Sequence, residues 1–292
     1  MSDLYAAVEA ILEDSPFGVE SVCKVLGLTR SAFYAWKDGK SSERAQSDEQ
    51  LAPVVRELFW KHRRRYGTRR LVPDLAERGF ECGRRRVAKT LKRQGLMAIQ
   101  PKSFKPKTTE SRHTLGYSPN LLLEGKEPSA INRLWVGDIT YIPMTGGSFC
   151  YLAMLMDRFS RRIVGYSLAN SMTEELVLAA LSQAIRQRSI QEGLIHHTDR
   201  GGQYAGKQYR TVLRRAAMRQ SMSRPDNVYD NAFMESCFGT LKTELEMAEY
   251  PTQRAALKAI GDYIAYYNLE RRHSSLGYLS PHHFELQSLK QP

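Results

Sequence analysis

The sequence predicts an all-α, basic N-terminal part joined to a mixed α/β domain. Three observations carry that reading. Helical apolar spacing runs to about residue 99 and gives way at Leu134 to β-rich runs. Three hairpin-linked strand candidates are then followed by alternating strands and helices, the pattern of a mixed sheet flanked by helices. Between the two regions, residues 100–133 combine prolines, lysines and a Ser/Thr/Gly stretch, which reads as an extended linker.

Taken in order, residues 4–12 (LYAAVEAIL) have helical spacing. Val19 to Leu26 is a second helix, Gly27 a tight turn, and Thr29 the N-cap of a third helix ending near Trp36, which together make a helix-turn-helix pattern. Residues 38–50 (DGKSSERAQSDEQ) are polar and read as a linker. Helix resumes with LAPVVRELFWKHRRR. Thr68 is placed to cap TRRLVPDLAERG, where Leu71 and Leu75 lie one turn apart. After Gly83, RRRVAKTLKRQG puts Val87 and Leu91 on one face, giving a second helix-turn-helix candidate. Its last helix carries Arg84, Arg85, Arg86, Lys89, Lys92 and Arg93, which suit a phosphate-lined groove or, more plainly, a solvated surface. The divisions expected are helical residues 1–45, a basic DNA-binding segment 46–99, a linker 100–130 and an α/β domain 131–287.

In the second half, LWVGDITYIPM and SFCYLAMLMD are strands joined through Gly146-Gly147, and RRIVGYSLAN is a third. Thr173 caps TEELVLAALSQAIRQR, with Leu176, Ala180 and Ala184 at helical spacing. LIHHT is a short strand, GKQYRTVLRRAAM a helix and RQSMS a fifth strand. DNAFMESCFGTLKTELEM and TQRAALKAIGDYIAYYNLERRH close the domain as helices. The order βββαβαβαα is that of a ribonuclease H-like fold.

Composition narrows the function. Of 292 residues, 42% are hydrophobic, enough for a real core. No run approaches the length of a membrane span, and the N-terminus has acids where a signal peptide needs a basic region, so an intracellular, cytoplasmic protein is expected. Cys23, Cys82, Cys150 and Cys237 show no CxxC or zinc-ligand spacing and read as ordinary reduced thiols. The net charge of +12 is concentrated: residues 61–107 hold 16 Lys+Arg against three acids, whereas residues 1–50 hold five against nine. A basic block of this density points to a polyanionic partner.

Three acids have informative surroundings. Asp138 interrupts an apolar strand, where a carboxylate needs a partner or a metal. Asp199 ends LIHHT and precedes Arg200-Gly201-Gly202; strand ends beside glycine loops favour sites at a sheet edge, although a turn-forming Asp fits equally. Glu235 shares a helical face with Phe238 and Lys242. Spacing alone decides little, since about one residue in ten of this chain is acidic.

WVGDITYIP, DRFSRRIVGYSL, HTDRGGQY, DNAFMESCFGTLKTE and YYNLERRHSSLGYLSPHHF, in that order, resemble successive blocks of a bacterial transposase of the insertion-sequence-three family, catalytic second-frame product. Such proteins are related to retroviral integrases, and the resemblance spans about residues 62–287. It implies an integrase catalytic core of the acidic-triad (DDE) superfamily, with Asp138, Asp199 and Glu235 as catalytic and metal-binding residues. The implied cofactor is Mg²⁺, with Mn²⁺ as a substitute, at two ions per site, a set able to activate an attacking oxygen and stabilise a leaving one. Water as nucleophile gives nicking, and a DNA 3′-OH gives strand transfer. Lys242 falls where the family has a basic residue and would meet a phosphate. His197, Arg200, Gln203 and Tyr204 are further DNA-contact candidates beside Arg84, Arg85, Arg86 and Lys89. For His197 a plain strand-end role fits as well, and for Tyr204 a place in the core.

Asn231 is read as a helix cap and Asp157 as an acid outside the triad, while Arg271 and His273 either clamp DNA or brace the C-terminal helix. The chain departs from the family pattern at Cys237, where an aromatic is usual, and at Asp226-Asn227, where Gly-Asn is common. Partners implied are double-stranded DNA (terminal inverted repeats and target), further copies of the chain, and a protein from an upstream frame, the frameshift-fused segment itself having no counterpart here. The resemblance also implies a bacterial, nucleoid-associated setting. Two other readings share these residues: a non-catalytic DNA-binding regulator derived from a transposase, and a general ribonuclease H-fold nuclease.

Overall fold

A computed structural model describes residues 2–39, 43–100, 116–122, 127–224, 232–246 and 248–290. The chain divides into two compact units, Met1–Ala98 and Ile99–Pro292. In the first, α1 (Ser2–Asp14), α2 (Val19–Val25) and α3 (Arg30–Lys37) close around Val8, Val22, Cys23 and Phe33. Gly27 takes φ 66° at the turn, and the Thr29 hydroxyl accepts from the Ala32 amide at 3.3 Å, as the sequence predicts.

The remaining helices of this unit are α4 (Glu43–Lys61), α5 (Thr68–Glu77) and α6 (Arg84–Arg93). Two expectations fail here. The stretch read as a polar linker is helical from Glu43 onward, because Arg86 of α6 reaches Asp48 at 2.7 Å and Ser47 at 2.7 Å. That contact holds the Asp48 carboxyl below its usual range. Tertiary contact therefore overrides a composition that by itself favours no helix. Thr68 is the first helical residue rather than the cap, which is Gly67.

The second unit is built on a five-stranded sheet in the order β3-β2-β1-β4-β5. Strands β1 (Leu134–Pro143), β2 (Phe149–Asp157) and β3 (Ile163–Ala169) form an antiparallel meander. Strands β4 (Ile195–Thr198) and β5 (Arg219–Met222) run parallel to β1. The connecting helices are α7 (Glu174–Gln187), α8 (Gly202–Ala205) and α9 (Lys207–Arg215). After β5 come α10 (Ala232–Glu244), α11 (Gln253–Leu269), a 3₁₀ turn at Ser274–Leu276 and α12 (Pro281–Ser288). The predicted order of strands and long helices is present, with α8 and α12 added.

Pleat parity separates two cores. Leu134, Val136 and Ile142 of β1 join Met154, Phe238, Leu241 and Ile260 on the face covered by α10 and α11. Trp135 joins Ala180, Leu181, Tyr204 and Tyr209 on the opposite face. Both sheet edges are covered. On β3, the Asn268 side chain accepts from the Ile163 amide and donates to its carbonyl, Gln183 accepts from the Tyr166 amide, and Gln253 donates to the Leu168 carbonyl. Along β5 lies part of the stretch expected as linker: the Leu121 amide donates to Ser221 Oγ at 3.0 Å, and the Met222 amide to the Pro119 carbonyl at 3.4 Å. Capped edges do not recruit further strands.

Two buried ion clusters fasten the C-terminal helices. Glu244, the last residue of α10, accepts from Arg271 Nε and Nη2 at 2.8–3.0 Å and from the Tyr263 hydroxyl at 3.1 Å. Arg271 also bonds His273 at 3.1 Å. Burial opposes the Arg271 charge, but Glu244 outweighs it and holds the guanidinium protonated. Of the two roles left open by the sequence, Arg271 and His273 therefore brace the C-terminal helices. Glu285 of α12 accepts from Arg162 at 2.7 Å, from both Arg188 terminal nitrogens and from Ser160 at 2.8 Å. Ser160 in turn bonds Asp157, whose carboxylate accepts from the Asn132, Phe159 and Ser160 amides. Asp157 is thus a turn anchor.

Arg271→Met leaves the Glu244 carboxylate buried without its main partner, so a loss of roughly 3–5 kcal/mol is expected. A thermal melt would show it, and a double Glu244→Leu/Arg271→Met variant should recover most of the loss. Gly165→Ala should destabilise by about 1–3 kcal/mol in denaturant titration. A Cβ there would stand 2.3 Å from the Ala180 carbonyl oxygen and force α7 away from β3.

Candidate active site

Asp138 has the same parity as Val136, so it faces the side of the sheet on which α10 lies. The parallel register sets Val136 opposite His197; Asp138 lies two residues further along β1, and Asp199 lies just past the end of β4. Asp138 is half-buried and its Oδ1 accepts from the Ile139 amide at 2.8 Å. Asp199 follows β4, and its Oδ1 accepts from the Gly201 amide at 3.0 Å. A Cβ on Gly201 would lie 2.7 Å from Gln203 Oε1 and 3.1 Å from Asp199 Oδ1, so a larger residue would displace those side-chain ends.

Tyr204 lies behind both aspartates. Burial, then the charges of Asp199 and Asp138, push its phenol well above the ordinary tyrosine range. Its ring meets Tyr209 edge-on at 5.5 Å, and the Tyr209 hydroxyl lies 2.6 Å from His196 Nε2. Burial pushes His196 down to about 3, so the imidazole is neutral. Gly137 on β1 makes room for that ring, since a Cβ there would stand 2.9 Å from His196 Cε1.

Lys242 of α10 is buried, and burial lowers its pKa against the opposing pull of Asp138. Glu235 is in the first turn of α10 and exposed. Among the described residues no three His, Cys, Asp or Glu side chains form a group that could hold a metal ion. The structure thus brings Asp138, Asp199 and Lys242 into one neighbourhood, and Glu235 stands on the same helix as Lys242, seven residues before it. Asp226, Asn227 and Asn231 lie outside the described residues.

The DNA-contact candidates divide. His197 is fully buried, with Nδ1 2.8 Å from Ser221 Oγ and Nε2 3.0 Å from Ser223 Oγ, so it ties β4 to β5 and has no surface to offer DNA. Tyr204 belongs to the core. Arg200 is half-buried, donates to the Ser223 carbonyl at 2.7 Å and lies 4.5 Å over the Tyr117 ring. Gln203 donates to the Met172 carbonyl at 3.1 Å. On α6, Arg84, Arg85 and Lys89 are exposed, whereas Arg86 is tied to Asp48 and Ser47. The serine pair around His197 was missed in the sequence; the alternation Ser221-Met222-Ser223 was the available signal, two hydroxyls on one strand face. Also missed were Arg158 and Arg161, whose guanidiniums lie 4.3 and 4.2 Å from the Phe233 ring at the start of α10.

Comparison with known proteins agrees with this architecture. Residues 128–228 and 216–281 match integrase core domain families, and residues 46–104 match an HTH-like domain. The insertion element IS600 uncharacterized 31 kDa protein of Shigella sonnei is 42% identical over 262 residues, covering 89% of this chain and 96% of the relative. Transposase InsF for insertion sequence IS3A of Escherichia coli is 38% identical over 277 residues, covering 94% and 96%. Among solved structures, the magnesium complex of the HTLV-2 integrase catalytic core domain is similar with 17% identity and a TM-score of 0.44, over 54% of this chain and 98% of that one. With an integrase core, a helix-turn-helix-like segment and relatives of this identity along nearly its whole length, the chain belongs to the insertion-sequence-three family of transposases.

Proposed function

We propose that this chain is a DNA transposase that nicks insertion-sequence ends and joins the freed 3′-OH to target DNA by metal-dependent phosphoryl transfer. The observation that carries the reading is that Asp138 on β1 and Asp199 just past the neighbouring β4 both lie near Tyr204, with Asp138 also near Lys242 of α10, the helix that bears Glu235.

The donor set fits a hard cation. Asp138 and Asp199 offer oxygen, while His197 has both ring nitrogens on serine hydroxyls and is withdrawn from ligation. In this reading Asp138, Asp199 and Glu235 hold the metal, with Glu235 joining the two aspartates in the complex with DNA. Two Mg²⁺ ions, or Mn²⁺ in their place, would supply an activated oxygen nucleophile and a stabilised leaving oxygen. The chain's own groups do the rest. The Gly201 amide orients the Asp199 carboxylate. Tyr204 is held protonated by burial and by both aspartates, which disfavours it as a nucleophile and supports direct displacement by water or a 3′-OH. Lys242 brings positive charge to the phosphate.

DNA is held by the basic N-terminal unit, with Arg84, Arg85 and Lys89 on the exposed face of α6. Pairing of two element ends implies a homo-oligomer, with an upstream-frame protein as a further partner, working at the bacterial nucleoid. No described helix is long and apolar enough to cross a membrane.

Glu235→Gln and Asp138→Asn should each lower nicking and joining of a duplex carrying the element's terminal repeats by on the order of 10²–10³-fold. Affinity for that duplex should be retained in gel-shift titration. Full strand transfer by Glu235→Gln would remove Glu235 from the site. Lys242→Met should raise the thermal midpoint while lowering strand transfer, because burial depresses the lysine pKa from 10.5 and so penalises the charged folded form. The unfolded chain holds that proton more tightly, so the wild-type penalty is full at neutral pH. The gap between the two midpoints should narrow as pH rises towards 10.5.

A further inference from the structure

The turn between α4 and α5 carries two successive left-handed residues that are not glycine, Arg63 with φ 49° and Arg64 with φ 62°. A Cβ disfavours this conformation, and glycine or asparagine adopts it readily. The turn is nevertheless fixed from every side. The Arg63 amide donates to the Trp60 carbonyl at 2.9 Å, Arg64 to Phe59 at 3.0 Å and Arg65 to His62 at 2.9 Å. Beneath it the buried His62 ring lies 2.8 Å from Asp74 and stacks on Tyr66 at 3.8 Å, with the ring planes 9° apart. Arg70 donates to the Arg65 carbonyl and lies 5.6 Å from the Tyr66 centroid.

The result is a rigid mount for an exposed Arg63, with the 54% exposed indole of Trp60 at the same turn. Arginine thus stands in a glycine-favouring conformation above the buried His62–Asp74 contact. A backbone fixed beneath an exposed arginine narrows where its guanidinium can reach, which lowers the ordering cost of binding. The turn lies in the basic block 61–107, so the complementary partner is a polyanion.

We propose that this turn is a backbone clamp for duplex DNA: Arg63 meets a phosphate, and Trp60 packs on the neighbouring deoxyribose. The clamp is separate from the arginines of α6 and rests on the DNA-binding reading above. The test uses the full-length chain and a short random-sequence duplex, because phosphate contacts are independent of sequence. Arg63→Gly removes the charge and relieves the backbone, so its melting midpoint should equal or exceed that of the wild type. Its affinity should fall, and the slope of log K against log salt should shrink by about 0.9. Added duplex should quench tryptophan emission in the wild type and not in Trp60→Phe.

Unchanged affinity and slope in Arg63→Gly, while Arg85→Ala lowers both, would overturn the clamp and leave the DNA-binding reading standing. No binding by the wild type would overturn both. A lowered melting midpoint in Arg63→Gly would make the arginine a prop for the turn, and would also overturn the clamp.

Discussion

Strand β1 is where antiparallel pairing with β2 meets parallel pairing with β4, and the candidate site follows from that position. Pleating leaves no freedom in which face a residue takes. Once Leu134, Val136 and Ile142 are buried under α10 and α11, Asp138 must face the same way. A slip of one residue would turn Asp138 to the other face and bring Trp135 out of its own core with it. The parallel partner then sets the level along β1, with Val136 opposite His197 and Asp199 following just past the end of β4. The hydrophobic register therefore holds Asp138 on the face covered by α10, while Asp199 depends in addition on its turn, where its carboxylate accepts from the Gly201 amide.

The buried charges act at another point. Desolvating a pair such as Glu244 and Arg271 offsets much of its attraction, so such pairs contribute specificity of attachment more than net stability. Helix α12 shows this directly. Its buried residues are Pro281 and Glu285, with no apolar stripe among them, and Glu285 meets Arg162, Arg188 and Ser160. A helix of that composition docks where the guanidiniums are. The same logic ties the C-terminal end of α10 to the residue just past α11 through Glu244 and Arg271. At the other end of α10, Phe233 lies against Arg158 and Arg161.

Apolar β-rich runs made β1 to β3 legible and helical spacing made α7 so, because the strands are buried along most of their length and α7 buries one stripe. It could not show that Glu43 to Gln50 is helical, since the support comes from Arg86, far along the chain. Nor could it show Leu121 reaching Ser221 at the edge of the sheet. At the site, Asp138 and Asp199 were readable from an acid in an apolar strand and an acid before a glycine turn. The place of His197 was not, because its partners Ser221 and Ser223 are joined to it by strand pairing. Residue type left a DNA contact and a plain strand-end role open; two serines across the ladder make it a structural tie.

That tie bears on the chemistry. Tyr204 lies near Asp138 and Asp199 and is backed by Tyr209, which meets His196, and burial holds all three neutral. They bring dipoles and no compensating charge to that side of the sheet. Low polarisability behind a pair of acids strengthens their field towards the open side. The nearby ammonium, Lys242, is itself disfavoured by burial and balances that field weakly. A site of this kind gains most from a compact multivalent cation. The neutral tyrosine–histidine layer is therefore as much a part of the proposed metal chemistry as the acids in front of it.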